Sequence, residues 1–152
     1  MTSLVGTTAN ALITDITTNV AGASTWRLFR YAPFFFDVSV AGSLAVWFQG
    51  ETQDPTGPTG ARWWREEYHL RYWEAAPFED ASLASSDADQ EALYVTYEAV
   101  RDRLMKTSFQ VLGSSSLAQA GGGTLMGAAI GDDAFVRGFE LVFTAQRQRS
   151  YT

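Results

Sequence analysis

His69 is the one imidazole in this chain of 152 residues, and it stands in mid-strand between Tyr68 and Leu70. A histidine is raw material for general acid–base chemistry, with a ring nitrogen as base. Such chemistry also needs a nucleophile or a polarising group within reach. The serines fall in runs such as Ser114-Ser115-Ser116, and no Gly-x-Ser-x-Gly elbow surrounds any of them. His69 therefore reads as a strand histidine in a polar or interfacial contact, and the chain reads as no enzyme.

The acidic clusters are Glu66-Glu67, Glu79-Asp80, Asp87 with Asp89, and Asp132-Asp133. Neighbours in a strand point to opposite faces, so Glu66 and Glu67 cannot work as one carboxylate pair. Asp87-Ala-Asp89-Gln-Glu91 resembles the start of a calcium loop, and Glu98 falls at its twelfth position. Its sixth position is Ala92, where the sharp turn of that loop needs glycine, so helix capping is the better reading. Gly121-Gly122-Gly123-Thr124 lacks the Gly-Lys-Ser/Thr ending of a phosphate loop and reads as a flexible loop or a close subunit contact. There is no cysteine, which excludes disulfides, thiolate catalysis and cysteine zinc sites. No metal and no cofactor is expected.

The net charge of −6 argues against a protein that grips nucleic acid by its phosphates. Lys106 is the single lysine among 11 basic residues, so arginine, the cation favoured at protein interfaces, dominates. Aromatic residues make up 14% of the chain. Stacking on a glycan or a single strand would use exposed rings, but most rings here sit in apolar runs or at strand period, as core and subunit contacts do. No run approaches the roughly 18 apolar residues of a membrane span, and Met1-Thr2-Ser3-Leu4 lacks the basic start of a signal peptide.

The elements that must position these residues follow from periodicity. In 62–73, Arg62, Trp64, Glu66, Tyr68, Leu70 and Tyr72 fall on one face of a strand. Trp63, Arg65, Glu67, His69, Arg71 and Trp73 fall on the other. The first face is the core face. The second is charged in the middle and carries a tryptophan at each end, as a face partly covered by a neighbouring chain does. Leu4, Val5, Ala9, Leu12, Ile13, Ile16 and Val20 predict a helix over roughly 3–20, capped by Thr2 or Ser3 and stopped by Gly22. Trp26–Tyr31 is a short extended segment, and 44–48 a strand buried on both faces. Gly50–Gly60 is a turn-rich loop that makes a long hairpin with 62–73. Residues 74–91 form an acidic linker into a helix with Leu93, Tyr97, Val100 and Leu104 as its buried stripe. Phe109, Val111 and Leu112 offer a further strand, 113–131 a flexible glycine-rich loop, and 135–145 a closing strand before the polar tail Gln146–Arg149. The order predicts a single α+β domain over 1–152: a mainly antiparallel sheet with a long hairpin, flanked by two helices.

The N-terminal amphipathic helix, the segment Tyr31-Ala32-Pro33 and a hairpin whose second strand ends in Tyr68-His69-Leu70-Arg71-Tyr72-Trp73 resemble the tail terminators of long-tailed, siphovirus-like bacteriophages. The helix Leu93–Lys106 and the closing strand Phe135–Ala145 complete the likeness. The resemblance implies a structural virion protein of the tail and neck, assembled in the host cytoplasm. It implies a homohexameric ring at the head-proximal end of the tail tube. The ring stops tail polymerisation and offers the docking surface for the head-closure or connector protein. Its partners are its own copies, the tail-tube protein and that connector. DNA passes through without specific binding, and six copies at −6 each carry −36, which repels phosphates. Trp63, Arg65, Arg71 and Trp73 are the candidate subunit contacts. Alternatives are another neck ring (a head-closure or adaptor protein), a tail-tube subunit, and a small-molecule or glycan-binding module.

Overall fold

The computed structural model describes residues 3–31, 42–53, 63–75, 87–106, 116–119, 123–130 and 134–148. The first helix, α1, is Leu4–Asn19. Ser3 caps it, its hydroxyl oxygen accepting from the Gly6 N–H at 3.1 Å. The poor helix formers Thr8 and Thr17 turn their hydroxyls back on the carbonyls of Leu4 and Ile13. Stability comes from the stripe Ala9, Leu12, Ile13, Ile16 and Val20, all buried. Leu4, expected in that stripe, is exposed in the first turn. Gly22, at φ 80, takes the left-handed conformation that turns the chain out of the helix into a short 3-10 turn, Ala23–Thr25.

Three strands then build the hairpin side of the sheet: β1 (Arg27–Phe29), β2 (Ser43–Gln53) and β3 (Trp63–Ala75). The second helix, α2, is Asp87–Lys106, so the Asp87–Glu98 segment is continuous helix rather than a calcium loop. The remaining strands are β4 (Ser116–Gln119), β5 (Thr124–Ile130) and β6 (Ala134–Gln148). The order across the sheet is β1-β2-β3-β6-β4, with β5 also on β6. Pairing is antiparallel except between β1 and β2. This is an α+β fold.

β3 and β6 form the spine, in register from Trp63↔Gln148 to Ala75↔Val136. Their inner faces carry Tyr68, Leu70, Tyr72, Phe139, Leu141, Phe143 and Ala145 into one core with Leu44 and Val46 of β2 and the buried stripes of both helices. Both helices thus cover one face of the sheet. They are tied to each other by Asp15, which is 6% exposed, and Arg103, whose Nε and Nη2 donate to the two carboxylate oxygens at 2.9 and 2.5 Å. A smaller cluster of Phe29, Ala45, Trp47, Trp73 and Val136 lies on the opposite face.

Several expected boundaries move. β2 runs on through Gln53, past a bulge between Phe48 and Gly50, so the loop expected from Gly50 begins as strand. The 113–131 segment, expected to be a flexible loop, contains β4 and β5, which pair end to end along the edge of β6 that β3 leaves open. Pairing through backbone groups needs no large side chains, which is why a stretch of Gly, Ala, Ser and Thr can still form strands. β6 extends to Gln148 and takes in much of the expected polar tail. The hairpin tip, the 76–86 linker and the candidate strand around Phe109–Leu112 lie outside the described residues.

Candidate functional site

The outer face of β3 carries the residues singled out by type and spacing. Glu67, His69 and Arg71 stand in a row there, and the β6 register sets Glu140 opposite Arg71. His69 is held at both ring nitrogens: Nε2 lies 2.6 Å from Glu67 Oε1, and Nδ1 lies 3.0 Å from Glu140 Oε1. Arg71 donates from Nε at 2.9 Å and Nη2 at 2.6 Å to the other Glu140 oxygen. From β2, Trp47 supplies an apolar floor. Its ring is tilted against His69 at 5.5 Å, and the Arg71 guanidinium sits 5.5 Å from its centre. The Trp47 indole N–H donates to Gln49 Oε1 at 2.9 Å. With both nitrogens engaged by carboxylates, the imidazole has none left to take a proton from a nucleophile. What the row does is lace three strands together across a partly wetted face.

The four candidate contact residues share this face but meet different fates. Arg71 belongs to the row just described. Trp73 is 2% exposed, stacked on Phe29 at 5.6 Å and 22°. In β2, Ala45 pairs with Phe29 and Ser43 with Trp73, so only small side chains separate the two rings. Trp73 is therefore a core residue of its own chain, and the expectation that both tryptophans wait for a neighbour is corrected on this point. Arg65 is exposed and lines a shallow cleft of about 250 Å³ with Glu67 and the Gln49–Thr52 stretch of β2. Trp63, at the far end, is half-buried, and its indole N–H finds no acceptor among the described residues. Ten residues of strand separate the two tryptophans by roughly 33 Å.

The inner face holds two ionic groups that periodicity alone did not single out. At one end of the spine, Glu66 is fully buried. Tyr68 donates to its Oε1 at 2.9 Å, and Arg147 Nε donates to its Oε2 at 3.1 Å. Arg147 Nη2 also reaches the Thr8 hydroxyl of α1 at 2.7 Å. At the other end, Tyr72 donates to Glu74 Oε2 at 2.8 Å and Arg137 Nε to Glu74 Oε1 at 3.0 Å. Each end thus repeats a tyrosine, a glutamate two residues away and an arginine from β6. The available signal was charge at core parity: Glu66 in β3, and Arg137 and Arg147 at the same parity as Phe139, Leu141 and Phe143. A charge at such a position demands a partner. Burial pushes both phenols well above their ordinary range, so each stays a neutral donor to its carboxylate.

No protein-family model matches the chain, and no curated protein is significantly similar to it. Among the described residues no group of three acidic or imidazole side chains is arranged to hold a metal ion, and no helix is long and apolar enough to cross a membrane.

Proposed function

We propose that this chain is a structural ring subunit of a long-tailed phage: a tail terminator that caps the tail tube and docks the head connector, with no catalytic role. The observation that carries the reading is the inequality of the sheet's two faces. Two helices close one face. The other bears a half-wetted aromatic and ionic belt that runs out along the hairpin to Trp63 and Arg65. A closed ring of identical subunits is a heterologous assembly, so each copy must offer two different lateral surfaces. A rigid strand that ends in a half-buried tryptophan is suited to one of them, because tryptophan is enriched among interface anchors. The acidic charge suits a ring through which DNA slides without sticking.

The test is assembly followed by tail length. Sedimentation and negative-stain images of the purified protein should give a concentration-dependent ring. Trp63→Ala should weaken that ring while leaving the subunit folded. In a phage carrying the change, tails should overgrow or fail to join heads. A strict monomer at high concentration, with tails of normal length joined to heads in the variant, overturns the reading.

A further inference from the structure

β1 pairs with β2 only as far as Phe29↔Ala45. Beyond that point Arg30 and Tyr31 diverge, while β2 continues for eight more residues to Gln53. Among the described strands nothing pairs with this stretch of β2 on the β1 side. The gap is a groove of about 540 Å³, roofed by the first turns of α1. Val5, Trp47 and Phe48 supply apolar wall, and Tyr31, 58% exposed, stands at its mouth. Among the described lining residues Arg30 is the one formal charge, and no carboxylate of the described residues pairs with it. Asn10 also lines it, and its buried Oδ1 receives no hydrogen bond among the described residues.

A volume between about 300 and 1,000 Å³ suits a small ligand or a few side chains. Here a strand edge lies along the floor, which favours an extended chain over a compact ligand. Backbone pairing gives such a segment affinity, and pockets for alternate side chains give it specificity. The charge among the described lining residues is positive in a protein of net −6, which favours an acidic partner. We infer that this groove captures an extended, acidic segment of a partner protein. The segment adds as a strand to β2 where β1 leaves it, with one apolar side chain between Val5, Tyr31 and Phe48 and a carboxylate two residues on at Arg30. A segment N–H would satisfy Asn10. This inference does not rest on the ring reading.

The probe is a dye-labelled peptide, acetyl-Thr-Thr-Phe-Thr-Glu-Thr-amide, followed by fluorescence anisotropy on the full chain. Phenylalanine and glutamate share one face of such a strand. Saturable binding should weaken about tenfold with Arg30→Ala, and similarly when the peptide glutamate becomes glutamine. Tyr31→Ala should weaken it as well. Both altered residues are exposed, and unchanged circular dichroism confirms that the variants fold. Methylating alternate backbone nitrogens of the peptide should abolish binding, and amide exchange at Val46–Phe48 should slow when the peptide is bound. No saturable binding at millimolar peptide overturns the proposal. So does binding indifferent to Arg30 and Tyr31, or an N-methylated peptide that binds as well. Competition by free glutarate as strong as by the peptide would make the site one for small carboxylates and overturn strand addition.

Discussion

Arg147 shows what a single side chain can hold. It stands at core parity near the end of the last strand and neutralises a carboxylate with no access to water. Removing one partner of a buried pair leaves the other charge without its counter-ion, which costs on the order of 3–5 kcal/mol. Arg147→Met should therefore destabilise the chain by about 3 kcal/mol in urea denaturation. The double change Glu66→Leu with Arg147→Met should recover most of that loss. A double variant as unstable as the single one would show that the pair is not the source. Tyr68 and Tyr72 give a second test, in alkali. Their folded-state pKa values lie above those of exposed tyrosine, so the unfolded chain releases these protons first. The stabilisation is intact below about pH 10 and falls above it, by at most about 1.4 kcal/mol per pH unit for each tyrosine. Tyr68→Phe should flatten that fall and lower stability at neutral pH by about 1–2 kcal/mol, because the Glu66 carboxylate loses a donor. An alkaline limb unchanged in Tyr68→Phe would contradict the assignment.

Among the elements, those with a strong apolar period were legible: α1, α2, β3 and most of β6 lie close to where leucine, isoleucine and aromatic spacing put them. Their faces were legible too, with Leu93, Val100 and Leu104 buried in α2 and Tyr68, Leu70 and Tyr72 buried in β3. β4 and β5 were not, because what makes them strands is the backbone edge of β6, a partner no local window contains. The outer-face row was half legible. Glu67, His69 and Arg71 could be placed on one face, but Glu140 arrives through a register that sequence does not reveal. Arg147 was hidden by its polar neighbours. Gly138 is a position where an element depends on having no side chain. A Cβ there would run into the Tyr72 carbonyl oxygen of the paired strand. Gly138→Ala should force β3 and β6 apart locally and cost at least about 2 kcal/mol by thermal unfolding. A melting temperature within a degree of the parent would show that the strands give way without strain.

Viewed as a whole molecule, the outer face sets its two end tryptophans in different surroundings. Trp73 is interior, so Trp73→Ala should lower subunit stability by about 3–5 kcal/mol whatever the state of assembly. Trp63 is half-buried at the hairpin end, so Trp63→Ala should shift subunit stability by less than about 1 kcal/mol and act on association instead. Denaturation at low protein concentration reads the first effect, and sedimentation across a concentration series reads the second. Equal losses of stability in both variants would mean that both rings belong to one interior.

The spine has a consequence in time. His69 and Glu140 touch across 71 residues of chain, and β3 has no other partner on that edge among the described strands. During synthesis the aromatic strand emerges long before the strand that shields it. Until then one edge of β3 stands open, with Tyr68, Leu70, Tyr72 and Trp73 unprotected on that side. Closing so large a loop before the pairing rewards it slows folding and leaves a sticky intermediate. Supplying a holding chaperone during synthesis should therefore raise the yield of soluble protein more than a substitution that only stabilises the finished fold.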